Sequence, residues 1–99
     1  MKPAWVYILK CRDGSYYTGS TTNIHQRIQQ HENGEGAEWT KKRLPVEVVF
    51  LQEMSNKDEA YQMEQKVKKW SRAKKVALIA GDENSLRFFA RKPDFRNKK

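Results

Sequence analysis

The chain has 99 residues, 20 of them Lys or Arg against 12 Asp or Glu, giving a formal net charge of +8, with 37% apolar residues and eleven aromatics. That length fits one domain with one modest core and leaves no room for a second. The positive balance points to a polyanionic partner such as nucleic acid. No apolar run reaches the roughly 18 residues that a membrane span needs, and none pairs a long apolar face with a basic one, so no membrane role is expected.

"WVYILKC" (Trp5–Cys11) is β-branched and aromatic on both faces, the pattern of a central strand rather than a signal peptide. Cys11 is the single cysteine. It excludes an internal disulfide, fits a reducing cytoplasm, and is read as a packing residue because no Cys or His lies at ligand spacing. Asp13-Gly14 and then "SYYTGS" (Ser15–Ser20) signal a hairpin. A two-residue loop would put Tyr7 and Tyr17 on opposite faces of the ladder. A three-residue loop, Arg12-Asp13-Gly14 with a left-handed Gly14, would put them on the same face. The sequence permits both.

Thr22 or Asn23 can cap a helix that runs to about Glu32 and stops at Asn33-Gly34. Its aliphatic residues, Ile24 and Ile28, mark the inward face. At about 100° per residue, Arg27 and His31 fall within roughly 60° of Ile24. "GEGAEWTKKRLP" (Gly34–Pro45) reads as a polar, basic loop and "VEVVFLQE" (Val46–Glu53) as a third strand. Ser55 and Asp58 resemble a capping box at the start of a long helix whose stripe is Ala60, Met63, Val67 and Trp70. A short helix restarts after Ser71. "SLRFFARK" (Ser85–Lys92) suggests one or two more helical turns, and "PDFRNKK" (Pro93–Lys99) a basic tail. The expected fold class is α+β: a small three-stranded antiparallel sheet flanked by helices, order ββαβαα, over residues 1–82, with an extension over 83–99.

Several polar residues have both a plain and a chemical reading. Arg27 can snorkel, its stem covering Ile24. His31 can complement the helix C-terminal dipole. Glu64 lies about 80° from the centre of the apolar stripe and can pair with Lys68 at i+4. Tyr7 and Tyr17 are ordinary strand residues by themselves. The stretch Lys66–Lys75, with Lys66, Lys69, Arg72, Lys74 and Lys75 around Trp70, is either a solvated helix face or a nucleic-acid contact, and so is Lys41, Lys42 and Arg43. Trp70 continues the apolar stripe, which leaves Trp39 in the polar loop as the better base-stacking candidate.

Taken together, "VYI" (Val6–Ile8), "YTG" (Tyr17–Gly19) ten residues on, then Arg27, His31 and a helical Glu64 resemble the GIY-YIG nuclease domain over roughly residues 4 to 80. The size resembles that of its small stand-alone members. The resemblance implies a metal-dependent endonuclease that hydrolyses nucleic-acid phosphodiesters, DNA more than RNA. A protein partner could supply specificity. In such a domain Tyr7 is the base that activates water, Tyr17 lines the site, and Arg27 holds the scissile phosphate. His31 sits beside the first tyrosine, and Glu64 holds one Mg²⁺ or Mn²⁺ with the substrate. Val6 and Thr18 depart from the glycine and isoleucine that name the two motifs. An asparagine found downstream in many members has no clear counterpart, Asn84 lying farther along. A non-catalytic nucleic-acid-binding module on the same fold is the alternative, ahead of a protein-binding adaptor.

Overall fold

The computed structural model describes residues 2–81; the extension expected over 83–99, with Asn84, lies outside them. The elements are β1 (Ala4–Lys10), β2 (Tyr16–Thr21), α1 (Ile24–Glu32), α2 (Glu38–Lys41), β3 (Glu47–Met54), α3 (Lys57–Lys68) and α4 (Arg72–Ala80). The fold is α+β, with one antiparallel sheet in the order β2-β1-β3 flanked by helices.

β1 is the central strand because both of its faces are apolar. Tyr7, Leu9 and, beyond the strand end, Cys11 pack under α1 with Ile24 and Ile28. Ala4, Val6 and Ile8 pack under α3 and α4 with Ala60 and Val67. Each fully buried aliphatic side chain stabilises the fold by roughly 1.5–3 kcal/mol. β3 supplies both layers through a bulge between its pairings with Ile8 and Leu9. The extra residue, Val49, lets Val48 join Leu51 on the α1 side while Phe50 faces α3.

The hairpin takes the three-residue loop. Tyr7 pairs with Gly19 and Leu9 with Tyr17, Gly14 has φ +87°, and the Gly14 amide donates to the Cys11 carbonyl at 2.9 Å. Both tyrosines therefore project from the α1 face of the sheet.

Of the two caps open to α1, the structure takes Asn23, which accepts from the Gln26 amide. Two local details differ from the sequence reading. The cap of α3 sits one residue later than the Ser55/Asp58 reading: Asn56 accepts from the Glu59 amide at 2.9 Å, while Glu59 Oε1 accepts from the Ser55 amide at 3.3 Å. The supposed loop Gly34–Pro45 contains the four-residue helix α2, whose single inward side chain is Thr40. Ser71 caps α4 as its position suggests, and Trp70 packs against the α3 core. No helix among the described residues is long and apolar enough to cross a membrane.

Candidate active site

His31, in the last turn of α1, is buried with no exposed surface. Its Nε2 lies 3.0 Å from the Tyr7 hydroxyl and its Nδ1 lies 2.9 Å from Thr40 Oγ1. Thr40 Oγ1 in turn donates to the Ala37 carbonyl at 3.0 Å. Both ring nitrogens are thus engaged inside the protein. The Tyr17 ring stands 5.4 Å from the His31 ring between centroids, and Tyr7 5.7 Å. Two glycines make room for the pair. A Cβ at Gly19 would sit 2.5 Å from the Tyr7 oxygen, and one at Gly36 would overlap the His31 ring.

Burial acts in opposite senses on the two groups, while the Arg27 charge lowers both. Burial pushes the Tyr7 phenol well above its ordinary value, helped by Tyr17 and Glu64 and opposed by the Arg27 guanidinium. His31 is lowered to about 4, first by burial and then by Arg27. At neutral pH the site therefore holds a neutral phenol and a neutral imidazole.

Arg27 corrects the expectation that it points inward. Its side chain is exposed, because a guanidinium at the border of an apolar face keeps its head in water. It lines a hollow of about 570 Å³ with Ser20 and Thr21 of β2 and Lys57, Asp58 and Tyr61 of α3. Ser20 connects this hollow to Glu64: its hydroxyl donates to Glu64 Oε1 at 2.5 Å. Glu64 is 8% exposed, and its Oε2 lies 2.8 Å from Lys68 Nζ. The i+4 pairing and the inward placement are therefore both realised. β2 is an edge strand. Its odd residues present Tyr17 to the α1 side while Ser20 meets α3, so the two groups of side chains gather at one edge of the sheet.

A family model described as the GIY-YIG catalytic domain matches residues 3–77. The chain belongs to the GIY-YIG family. It is 47% identical over 79 residues to a UPF0213 protein of Oceanobacillus iheyensis, covering 80% of this chain and 92% of that one. It is 45% identical over 78 residues to a UPF0213 protein of Natronomonas pharaonis, covering 79% and 92%. The solution NMR structure of the UPF0213 protein from Bacillus halodurans is similar at 44% identity and a TM-score of 0.53, covering 79% of this chain and 83% of that one.

Within this GIY-YIG domain, the residues singled out in the sequence fall into two groups. Tyr7 and Tyr17 both contact His31, and Arg27 and Glu64 both act electrostatically on Tyr7. The basic candidates are dispersed. Arg43 is tied to Asp13 at 3.1 Å and lies over the Trp39 ring, so one face of the proposed stacking platform is already covered. Arg72 donates to the Gly14 carbonyl and lies over Tyr16. Lys41 pairs with Glu38, and Lys74 lies over Trp70. Lys42, Lys66 and Lys69 are exposed, and Lys75 is half-buried.

Ser20, Thr40 and Lys68 were not identified as site residues from sequence. A serine directly after "YTG" and a threonine nine residues beyond His31 carry no signal of their own. Lys68 was visible only as a pairing partner. Among the described residues no three His, Cys, Asp or Glu side chains cluster; the carboxylates here are Glu64, which is buried, and Asp58, which lines the adjoining hollow. That donor set fits a hard ion such as Mg²⁺ or Mn²⁺, which keeps several waters and shares phosphate oxygens.

Proposed function

We propose that this chain is a divalent-metal-dependent nuclease that hydrolyses nucleic-acid phosphodiesters, with DNA as the substrate class. The observation that carries the reading is the buried Tyr7–His31 hydrogen bond under the charge of Arg27, which lines a hollow with Ser20, whose hydroxyl is bound to Glu64. In this reading Arg27 binds the scissile phosphate through its fork of donors. Lys42, Lys66 and Lys69, with the other basic side chains, contact the flanking backbone. A Mg²⁺ or Mn²⁺ ion held by Glu64 would neutralise charge on the phosphate and the leaving oxygen.

The chain's own part is proton management. Tyr7 is not a standing phenolate, since burial holds its proton on. It takes a proton from the attacking water as it hands its own to His31 Nε2. The water oxygen bonds to phosphorus, and the bond to the leaving oxygen breaks with its electron pair. Burial is the main cause of the depressed His31; a phosphate at Arg27 offsets the second, the guanidinium charge, which makes the imidazole a better acceptor when substrate is present. Incubation with Mg²⁺ or Mn²⁺ and duplex, single-stranded, branched and RNA substrates tests the proposal. Cleavage by the wild type that Glu64→Ala abolishes is the expected result, and identical fragments from both overturn it.

A second reading has one observation in its favour. Both Glu64 oxygens are already satisfied, by Ser20 and Lys68, as they would be in a module that binds nucleic acid without cutting. Such a module binds in a salt-dependent way without metal, and Glu64→Ala leaves that binding intact.

A further inference from the structure

We propose that Thr40 is a positioning residue: it fixes the tautomer of His31 so that the ring presents an unprotonated Nε2 to Tyr7. The assignment follows from counting protons along one buried chain. A threonine hydroxyl has one proton to donate. Thr40 donates it to the Ala37 carbonyl at 3.0 Å. Toward His31 Nδ1, 2.9 Å away, Thr40 Oγ1 must therefore accept, and Nδ1 carries the ring proton. Nε2 is then a lone pair, and the Tyr7 hydroxyl 3.0 Å away is the donor. Three donors meet three acceptors. The reverse arrangement, Nε2–H toward Tyr7, leaves the Tyr7 proton without an acceptor among the described residues, and a buried hydroxyl in that state is costly.

Among the described residues none stands in for Thr40. Its side chain and that of His31 have no exposed surface, so solvent does not reach the Nδ1 contact. Gly36 closes on the ring, and a Cβ there would overlap it. Ala37, the cap residue of α2, places Thr40 one turn on, and its carbonyl also accepts from the Lys41 amide at 3.0 Å. The short helix thus exists around a residue whose hydroxyl links backbone to imidazole. The tautomer stands apart from any activity. Its catalytic meaning rests on the nuclease reading, because only a ring with a free Nε2 can take the Tyr7 proton.

The test is nuclear magnetic resonance of protein labelled with ¹⁵N-histidine. Wild-type His31 is expected to show Nδ1 protonated and Nε2 unprotonated near neutral pH. Because the Tyr7 proton also holds Nε2 as an acceptor, the part played by Thr40 is read in Tyr7→Phe, whose His31 ring is expected to keep Nδ1–H. Tyr7→Phe/Thr40→Val keeps the shape, removes the acceptor and is expected to shift His31 to the Nε2–H form; Tyr7→Phe/Thr40→Ser keeps the Nδ1–H pattern. Tyr7→Phe/Thr40→Ala, which also lacks the acceptor, serves if the valine variant does not fold. A wild-type ring protonated at Nε2, or a Tyr7→Phe/Thr40→Val or Tyr7→Phe/Thr40→Ala ring still protonated at Nδ1, overturns the proposal. With an active wild type, Thr40→Val turnover falls about tenfold at unchanged KM, a part of the usual general-base contribution. Unchanged turnover overturns the positioning role. A chain that shows the expected spectra but cuts nothing upholds the tautomer and counts against the nuclease reading alone.

Discussion

The Tyr7 hydroxyl and His31 Nε2 are 3.0 Å apart, 24 residues apart in sequence and wholly inside the protein. Tyr7→Phe separates the chemistry of this bond from its packing. The ring stays, so the core is kept, but Nε2 loses the donor it has among the described residues. Stability is expected to drop by about 1–2 kcal/mol, the cost of an unsatisfied buried acceptor. Proposed cleavage is expected to fall at least about a hundredfold, the contribution of a positioned proton-transfer group. Denaturant unfolding and initial cleavage rates on one preparation measure both. A fully active phenylalanine variant removes Tyr7 from the mechanism.

The depressed His31 imidazole makes stability depend on pH in a definite sense. An unfolded histidine titrates near 6.5, whereas the folded one is lowered to about 4. Between these values the unfolded chain binds a proton that the native protein does not. Stability is thus full above about pH 6.5 and falls as pH is lowered toward 4, by on the order of 3 kcal/mol in all. His31→Gln is expected to be less stable at pH 7 yet to lose less on going from pH 7 to pH 5. Urea midpoints at the two pH values check this. Equal pH slopes for the two proteins would show that His31 titrates normally.

Gly19 and Gly36 are required by what lies over them. Neither has positive φ, so the argument is steric. Gly19→Ala places a methyl 2.5 Å from the Tyr7 oxygen, which forces the tyrosine off its hydrogen bond with His31. A loss of about 1–3 kcal/mol, typical of overpacking, is expected. The Tyr7–His31 pairing should be lost with it. An alanine variant that melts like wild type, with unchanged His31 resonances, contradicts this geometry.

Much of this arrangement was legible in the sequence. The two faces of β1, the inward His31 and the helical Glu64 follow from periodicities of 2 and 3.6, which a single chain displays directly. The hairpin was legible only to a choice of two loops, because Asp13-Gly14 suits both; the register was decided by Gly14 turning left-handed. Arg27 was placed correctly on its helix but wrongly inside, since angular position does not report where a long side chain ends. α2 was hidden because a four-residue helix with one buried side chain has no periodicity. Ser20 and Thr40 were hidden because their roles come from bonds to residues 44 and nine positions away.

The same substitution, threonine to valine, is expected to have opposite effects at two positions. Thr18 faces Ile8 in the sheet pairing and is buried, and its hydroxyl has no hydrogen-bond partner among the described residues. Thr18→Val removes an unsatisfied oxygen at nearly constant volume and is expected to stabilise by about 1 kcal/mol. Thr40→Val removes a satisfied one and is expected to destabilise by about 1–2 kcal/mol. Thermal melts of the two variants, side by side, give the signs. A destabilised Thr18→Val would reveal a partner for that hydroxyl.

In the proposed metal-dependent reading, Lys68 and the ion would compete for the Glu64 carboxylate. The ammonium lies 2.8 Å from Glu64 Oε2 across one helical turn, and its pKa is raised, first through that hydrogen bond. Lys68 is 43% exposed in its side chain, so the pair is weak, on the order of 0.3–1 kcal/mol. A cation approaching Glu64 must displace the ammonium and overcome its repulsion. Lys68→Met keeps most of the apolar stem and removes the charge, so Mn²⁺ affinity is expected to rise about two- to fivefold, the same energy expressed as a ratio. Glu64→Gln in the same titration is expected to abolish binding. Calorimetry or the Mn²⁺ resonance signal, with a non-hydrolysable phosphodiester present to supply the shared oxygens, reads both. If Lys68→Met binds Mn²⁺ no better than wild type while Glu64→Gln binds none, the ion approaches through Oε1, on the Ser20 side of the carboxylate.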